Sequence, residues 1–364
     1  MNFVKTRFLQ ILCAIFAFSL ACGILEIFSR FYEKSYFIDT NVYLQRVEPQ
    51  LHRASSLPGL TYELIPGATA ENKFFGINSQ GIRDGEYAVP KPEGVYRIIV
   101  LGDSVTFGME YPLEQTYPKI LERLLNEDKI QEVRFEVLNA GVCAYNALQK
   151  YVFLEKKLLV YQPDLVIFQF INDDYYRNAV FIPSVSENCR GLHKSITLGE
   201  YFAANFPRIM PVEEGFDRTL LRHSALYRLI NKSLYDYLSL RDPRKYIPAA
   251  YRFAGTEDLN ESMRINKEVF KSFSCLAQEN DFNVVLLLVP ELDNQEKMDP
   301  WIREECPGLY GFKVIDLFAL LKKEGIDLRL FRINPRSVCH LNKSGHEVAA
   351  RLICRWLKEN QLAR

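Results

Sequence analysis

Acyl transfer through a serine needs a hydroxyl nucleophile, an imidazole to take its proton, and hydrogen-bond donors aimed at the developing oxyanion. The chain carries such groups at four separated places: Gly102-Asp103-Ser104, Asn139-Ala140-Gly141, Asn172-Asp173-Asp174 and Cys339-His340-Leu341-Asn342. In this set Ser104 would attack an ester carbonyl, and His340 would take its proton and return one to the leaving alcohol. The Ser104 N–H, the Gly141 N–H and the Asn172 side-chain amide are the candidate oxyanion donors, each needed at about 2.7–3.1 Å. A glycine at 141 lets the backbone approach a substrate with no Cβ in the way. Taken singly, each residue has a structural reading: Ser104 as a helix cap, Gly141 as a turn glycine, Asn172 as an Asx-turn residue. Asp173 and Asp174 read as side chains that hold a strand-end loop rather than as a carboxylate pair. His346 reads as structural, because a spacing of six from His340 does not put two ligands on one helix face. A metal site is therefore not expected.

These four places gain meaning from the elements around them. Arg97–Leu101 is a short apolar run closing on Gly102, and reads as a buried strand. Further strands are expected at Val133–Leu138, Asp164–Phe170, Asn283–Val289 and Lys313–Asp316. Between them fall helical patterns at Gln115–Asp128, Ala147–Tyr161, Leu259–Glu279, Leu317–Glu324 and Lys343–Lys358. Strands apolar on both faces, alternating with helices, predict a parallel sheet covered on each side: an α/β, three-layer α/β/α fold. In such sheets the ligand site lies beyond the carboxyl ends of the strands, where the candidate groups fall. Between Asp174 and about Thr256 the alternation lapses into a Tyr-, Arg- and Pro-rich insertion with one helical piece near Leu220–Leu240. It reads as a substrate lid, a partner surface or a solvated cover.

The N-terminus differs in kind. Phe8–Phe28 is a run of 21 residues with one charge, Glu26. At about 1.5 Å per residue it can cross a hydrocarbon core of about 30 Å. It is longer than the h-region of a cleaved signal, so an uncleaved transmembrane anchor is expected. Lys5, Arg7 and the α-amino group before it, against Arg30 and Lys34 after it, lean towards N-in topology, with the body extracytoplasmic. The expected organisation is a stub and anchor over 1–35, a juxtamembrane lead-in of short strands and loops over 36–95, and the α/β domain over 96–364 with an insertion at about 175–256.

Lys and Arg total 45 and Asp and Glu total 45, a formal net charge of zero without a basic run, so nucleic acid is not expected as a ligand. Two of the eight cysteines lie in the apolar span, and no C-x-x-C pair occurs. The other six, Cys143, Cys189, Cys275, Cys306, Cys339 and Cys354, could pair in an oxidising compartment or stay as buried thiols.

The run Arg97-Ile-Ile-Val-Leu-Gly-Asp-Ser104-Val-Thr-Phe-Gly108 resembles the first block of the GDSL, or SGNH, hydrolase superfamily. Asn139-Ala-Gly141 with Gln149 resembles its second block, Pro163–Val166 leading to Asn172-Asp173 its third, and His340-Leu-Asn-Lys-Ser-Gly-His346 its fifth. Gly81-Ile82-Arg83-Asp84 resembles the lead-in of membrane-tethered members, so the likeness covers roughly residues 76–364 less the insertion. It implies a flavodoxin-like fold, esterase or carbohydrate O-acetyl chemistry, an acylated glycan or lipid ester as substrate, and no cofactor. Two positions depart from the pattern: Phe170 stands where the third block has Gly, and Ser337 where the fifth has the Asp that orients the imidazole. Loss of such an acid costs about 10⁴ in kcat in serine hydrolases. Asp327 is the nearest upstream carboxylate in sequence, and a Ser–His dyad is the other solution. A non-catalytic binding or assembly subunit for a cell-surface polysaccharide is the rival reading that Ser337 supports.

Overall fold

The computed structural model describes residues 2–36, 52–57, 60, 62–69, 76–108, 111–127, 133–143, 145–171, 174, 219–220, 223–230, 256–289, 301–331 and 340–363. They divide into two compact units, one of residues 1–48 with 202–248 and one of residues 49–201 with 249–364.

The larger unit is built on five parallel strands: β3 (Val95–Gly102), β4 (Arg134–Gly141), β5 (Leu165–Phe170), β6 (Asn283–Leu288) and β7 (Lys313–Asp316). Their order is β4-β3-β5-β6-β7, the flavodoxin-like 2-1-3-4-5 arrangement. Side chains alternate across the strands, and each face finds a helical layer. On one face Ile98, Val100, Val137, Ile167, Val285 and Leu287 are buried. They pack in one core with α3 (Tyr117–Asn126), α7 (Leu317–Lys323) and α8 (Lys343–Glu359), helices numbered in chain order. On the other face lie α4 (Ala147–Phe153) and α5 (Thr256–Glu279), and here Phe168 meets Phe270 and Phe273 with ring centroids 5.8 and 5.2 Å apart. Phe170, the departure from the block pattern, is fully buried, 5.8 Å from the ring of Phe270, and so belongs to this aromatic core. The architecture is a three-layer α/β/α sandwich.

All five expected strands form. The expected helix over 147–161 divides. The α-helical part ends at Phe153, a wider π-type turn covers Leu154–Leu158, and a 3-10 turn covers Leu159–Tyr161. Leu154, Leu158 and Tyr161 are all buried across these changes of pitch. In the lead-in, β1 (His52–Ala54) and β2 (Tyr62–Leu64) pair antiparallel, and Tyr145 donates to Tyr62 O at 2.6 Å. From Pro49 onward the lead-in is thus part of the sheet unit.

The smaller unit begins with α1 (Asn2–Tyr36), which contains a 24-residue stretch, Leu9–Tyr32, long and apolar enough to cross a membrane. Its bulky residues, Phe16, Phe18 and Ile27 among them, are exposed. The one acidic residue of the span has partners in the same unit. Glu26 accepts from Ser224 Oγ at 2.8 Å, from Ala225 N and Leu226 N at 2.9 Å, and from Arg30 Nε at 2.8 Å. A carboxylate on α1 thereby caps the first turn of the helical segment 225–230, filling backbone donors that a helix start leaves open. Glu26→Ala should cost this contact about 1 kcal/mol, within the range of cap deletions. Limited proteolysis of the full chain in detergent should then cut within 219–230 faster than in the wild type. An unchanged cleavage pattern would contradict the cap. The insertion outside 219–220 and 223–230, including most of the expected helix at 220–240, lies outside the described residues.

Candidate active site

β3 and β4 end side by side, with Gly102 paired to Gly141, and both glycines serve one purpose. The short helix α2 (Ser104–Phe107) lies directly over the two strand ends. A Cβ on Gly102 would overlap Thr106 Oγ1, and one on Gly141 would overlap the Phe107 amide nitrogen and sit 2.8 Å from the Thr106 carbonyl carbon. Bare backbone at both positions lets α2 settle close enough to present Ser104 at the rim of the sheet. That rim is where the chain switches direction across the sheet: the β3–α2 turn lies between β4 on one side and β5 on the other. The cap of α2 is Asp103, whose Oδ1 accepts from Val105 N at 2.8 Å. Ser104 is therefore not the capping residue, and its hydroxyl is available for other use.

That hydroxyl meets His340. Ser104 Oγ lies 2.8 Å from His340 Nε2, across 236 residues of sequence. His340 stands just ahead of α8, whose start is pinned three times over. Asn342 caps it by accepting from Gly345 N at 2.9 Å, and its amide donates to Leu330 O at 2.9 Å. The Asn342 N–H donates to Phe331 O at 2.6 Å. His346, one turn on, is buried and has a separate task. Its Nδ1 accepts from Tyr117 N at 3.2 Å, and its ring stacks on Tyr117 at 6.1 Å. Burial, and after it the charges of Arg83 and His340, bring its pKa down to about 3, so it stays a neutral acceptor. This is the structural role expected of it.

Gly141 has a packing task that sequence reasoning did not give it. Its N–H points to Asn139 Oδ1 at 3.1 Å, and its missing side chain makes room for Phe107 rather than for a substrate. Gly141 is thus also the seat of α2. Asn172, Asp173 and Ser337 lie outside the described residues. Asp327, the upstream carboxylate considered as a substitute acid, is exposed on the turn before the 3-10 segment Leu328–Phe331. Asp174 behaves as a loop holder, accepting from Ile171 N at 3.0 Å.

Several positioning residues escaped sequence reasoning. Arg83 is fully buried and donates to Phe107 O, to Gly108 O at 2.8 Å and to Tyr111 O, with its guanidinium 4.8 Å from the Phe107 ring centroid. A cation thus closes the carbonyl end of α2. Next to it, Asp84 Oδ2 accepts from Asn139 N at 2.7 Å, while Asn139 Nδ2 donates to Thr106 O at 2.9 Å. Gly81–Asp84 therefore clamps α2 against the end of β4. On the other flank, Gln169 Oε1 accepts from Asp103 N at 2.9 Å. The signal for Gln169 was present in the sequence, as the one amide in an otherwise apolar strand.

Among the described residues, Cys13, Cys22, Cys143, Cys275, Cys306 and Cys354 form no disulfide. Cys189 and Cys339 lie outside the described residues. Among the described residues no cluster of three or more His, Cys, Asp or Glu could hold a metal ion.

No family profile and no curated protein matches the chain. Solved structures do. One is a putative lipolytic protein of the G-D-S-L family from Desulfitobacterium hafniense DCB-2, with 12% identity and a TM-score of 0.38 over 71% of this chain and 98% of that one. Another is the acetyl xylan esterase AlAXEase, with 15% identity and a TM-score of 0.38 over 72% and 99%. A third is the lipase/acylhydrolase from Enterococcus faecalis, with 15% identity and a TM-score of 0.35 over 73% and 96%. All three are remote likenesses.

Proposed function

We propose that the protein is a serine esterase or O-acyl transferase of the SGNH type, acting on an acyl ester carried by a glycan. One observation carries the reading: Ser104 Oγ and His340 Nε2 stand at hydrogen-bond distance, 2.8 Å, at the carboxyl edge of a doubly wound parallel sheet. Ser104 Oγ attacks the ester carbonyl carbon while His340 Nε2 takes the hydroxyl proton. The bond to the leaving alcohol then breaks, and His340 returns the proton to that alcohol. Water, or an acceptor hydroxyl, attacks the acyl-Ser104 carbonyl with His340 again as base, freeing the serine. The Ser104 N–H, the first of α2 and without an acceptor inside the helix, serves the oxyanion, with Asn172 as its proposed companion. The apolar stretch of α1 anchors the domain on the extracytoplasmic side, where glycan esters are within reach.

The test is acyl release from O-acetylated oligosaccharides by the full chain in detergent, beside p-nitrophenyl acetate and p-nitrophenyl octanoate. Acetate release, with a preference for the acetyl over the octanoyl ester, is expected. Glycan binding without release of any acyl group would replace this reading with that of a binding subunit. Ser337→Asp addresses the missing acid: restoring a carboxylate three residues before His340 should raise kcat at least about tenfold, out of the roughly 10⁴ that such an acid is worth elsewhere. An unchanged kcat would mean that another group already orients the imidazole.

A further inference from the structure

Part of the insertion after β5 meets α1 on the apolar span itself. There Leu25, Ile27 and Phe28 are exposed, whereas Ser29 is buried and Glu26 half-buried. Three apart, Glu26 and Ser29 share one face of α1 and mark a covered stripe between bulky open neighbours. The segment 223–230 meets this stripe. Glu26 accepts from Ser224 Oγ, Ala225 N and Leu226 N, and Arg30 Nη2 donates to His223 O at 2.6 Å. The span ends at Tyr32, six residues past Glu26, which is about 9 Å along a helix. A group bonded to Glu26 is thereby held near the boundary of headgroups and acyl chains, where amphipathic helices lie about 5–10 Å deep. What the segment turns outward suits that depth. Ala225 and Arg228, three apart on one face, are buried, so the one charge within 225–230 is withdrawn from the surface. Leu226, Tyr227 and Ile230 remain for the other side, with Ile230 54% exposed.

We propose that residues 224–230 form a second membrane contact, clamped to α1 through Glu26 and lying at the acyl–headgroup boundary with Leu226, Tyr227 and Ile230 against lipid. The contact presupposes α1 as a membrane anchor, but not turnover at Ser104. A carboxylate in an apolar span is costly unless its oxygens are filled. Here the segment supplies one hydroxyl and two backbone N–H groups, and Arg30 adds its Nε at 2.8 Å. The acid in turn fills backbone donors that the start of the helical segment leaves open, so each side removes the other's cost of entering the boundary. Tyr227 has the apolar ring and polar tip that settle at this level of a bilayer. A water-soluble partner would have to enter the headgroup layer to reach a face held at the depth of Glu26, which is why lipid is the occupant. This stretch of the insertion is then a membrane element and not a substrate lid.

Fluorescence of the full chain reconstituted in phosphatidylcholine vesicles tests the contact, with an environment-sensitive fluorescent amino acid in place of Ile230 or, in a separate sample, of Phe16 within the span. In vesicles with brominated acyl chains the emission from position 230 should fall to about half or less, as expected of a side chain at the acyl boundary, while aqueous iodide quenches it little. Position 16 should be quenched by bromine and not by iodide. Glu26→Ala releases the segment and should raise iodide quenching at 230 at least about twofold, within the population change that loss of a helix cap produces. Glu26→Gln keeps an acceptor oxygen and should stay close to wild type. Bromine quenching at 16 together with iodide quenching alone at 230 overturns the proposal and leaves the anchor standing. No bromine quenching at 16 removes the anchor, and the proposal with it. Iodide access at 230 that is the same in Glu26→Ala as in wild type overturns the clamp. None of these outcomes bears on the esterase reading.

Discussion

Ser104→Ala is expected to lower kcat/KM on p-nitrophenyl acetate by about 10⁴-fold or more while leaving the fold intact. The size follows from the chemistry: a serine nucleophile and its base act as a unit, and removing either takes away nearly all acceleration by the pair. Retention of the fold follows from the local structure. The cap of α2 is Asp103, and the core beneath is made of Val105, Thr106 and Phe107, so Ser104 contributes only its contact with His340. Steady-state hydrolysis by the full chain, with the thermal midpoint measured on the same samples, separates the two effects. A variant that retains a tenth of wild-type activity would remove Ser104 from the mechanism.

Gly141→Ala should be strongly destabilising. The added Cβ would meet backbone, the amide of Phe107 and the carbonyl carbon of Thr106, rather than the end of a flexible side chain. Relief would require α2 to lift from the sheet and carry Ser104 with it. Overpacking of this kind costs about 3 kcal/mol. At about 2–4 °C per kcal/mol for a domain of this size, the midpoint should fall by roughly 6–12 °C. Alanine keeps the backbone N–H, so a glycine needed only as an oxyanion donor would show little change in stability. A midpoint within about 2 °C of wild type would thus overturn the role given to Gly141 here.

The layers of this fold were legible because their signals are local. Apolar runs ending in turn residues marked β3, β4, β5, β6 and β7, and helical spacing marked α3, α5, α7 and α8. The departure at 154–161 was not legible, because a π-type turn is selected by what the helix packs against rather than by its own sequence. For the candidate site, spacing and block order singled out Ser104 and His340, and the fold brings them to 2.8 Å. The support of that pair was hidden. In sequence Arg83 is only a member of the Gly81–Asp84 motif, and tertiary structure is what places it under three carbonyls at the end of α2. Lys150 sits on a helix among Leu148, Gln149 and Tyr151, and nothing in that stretch says its ammonium will be enclosed with Asp174. Gly141 was found but for another reason, since a glycine for close packing and a glycine for substrate approach look alike in sequence. Only the position of Phe107 tells them apart.

The central claim is that His340 activates Ser104, and the direct measurement is reaction of the full chain in detergent with a fluorophosphonate, read by intact mass. The wild type should gain one adduct, mapped to Ser104, and both Ser104→Ala and His340→Ala should gain none. Folded wild-type protein that stays unmodified, or a His340→Ala variant that labels as fast as wild type, would contradict the account.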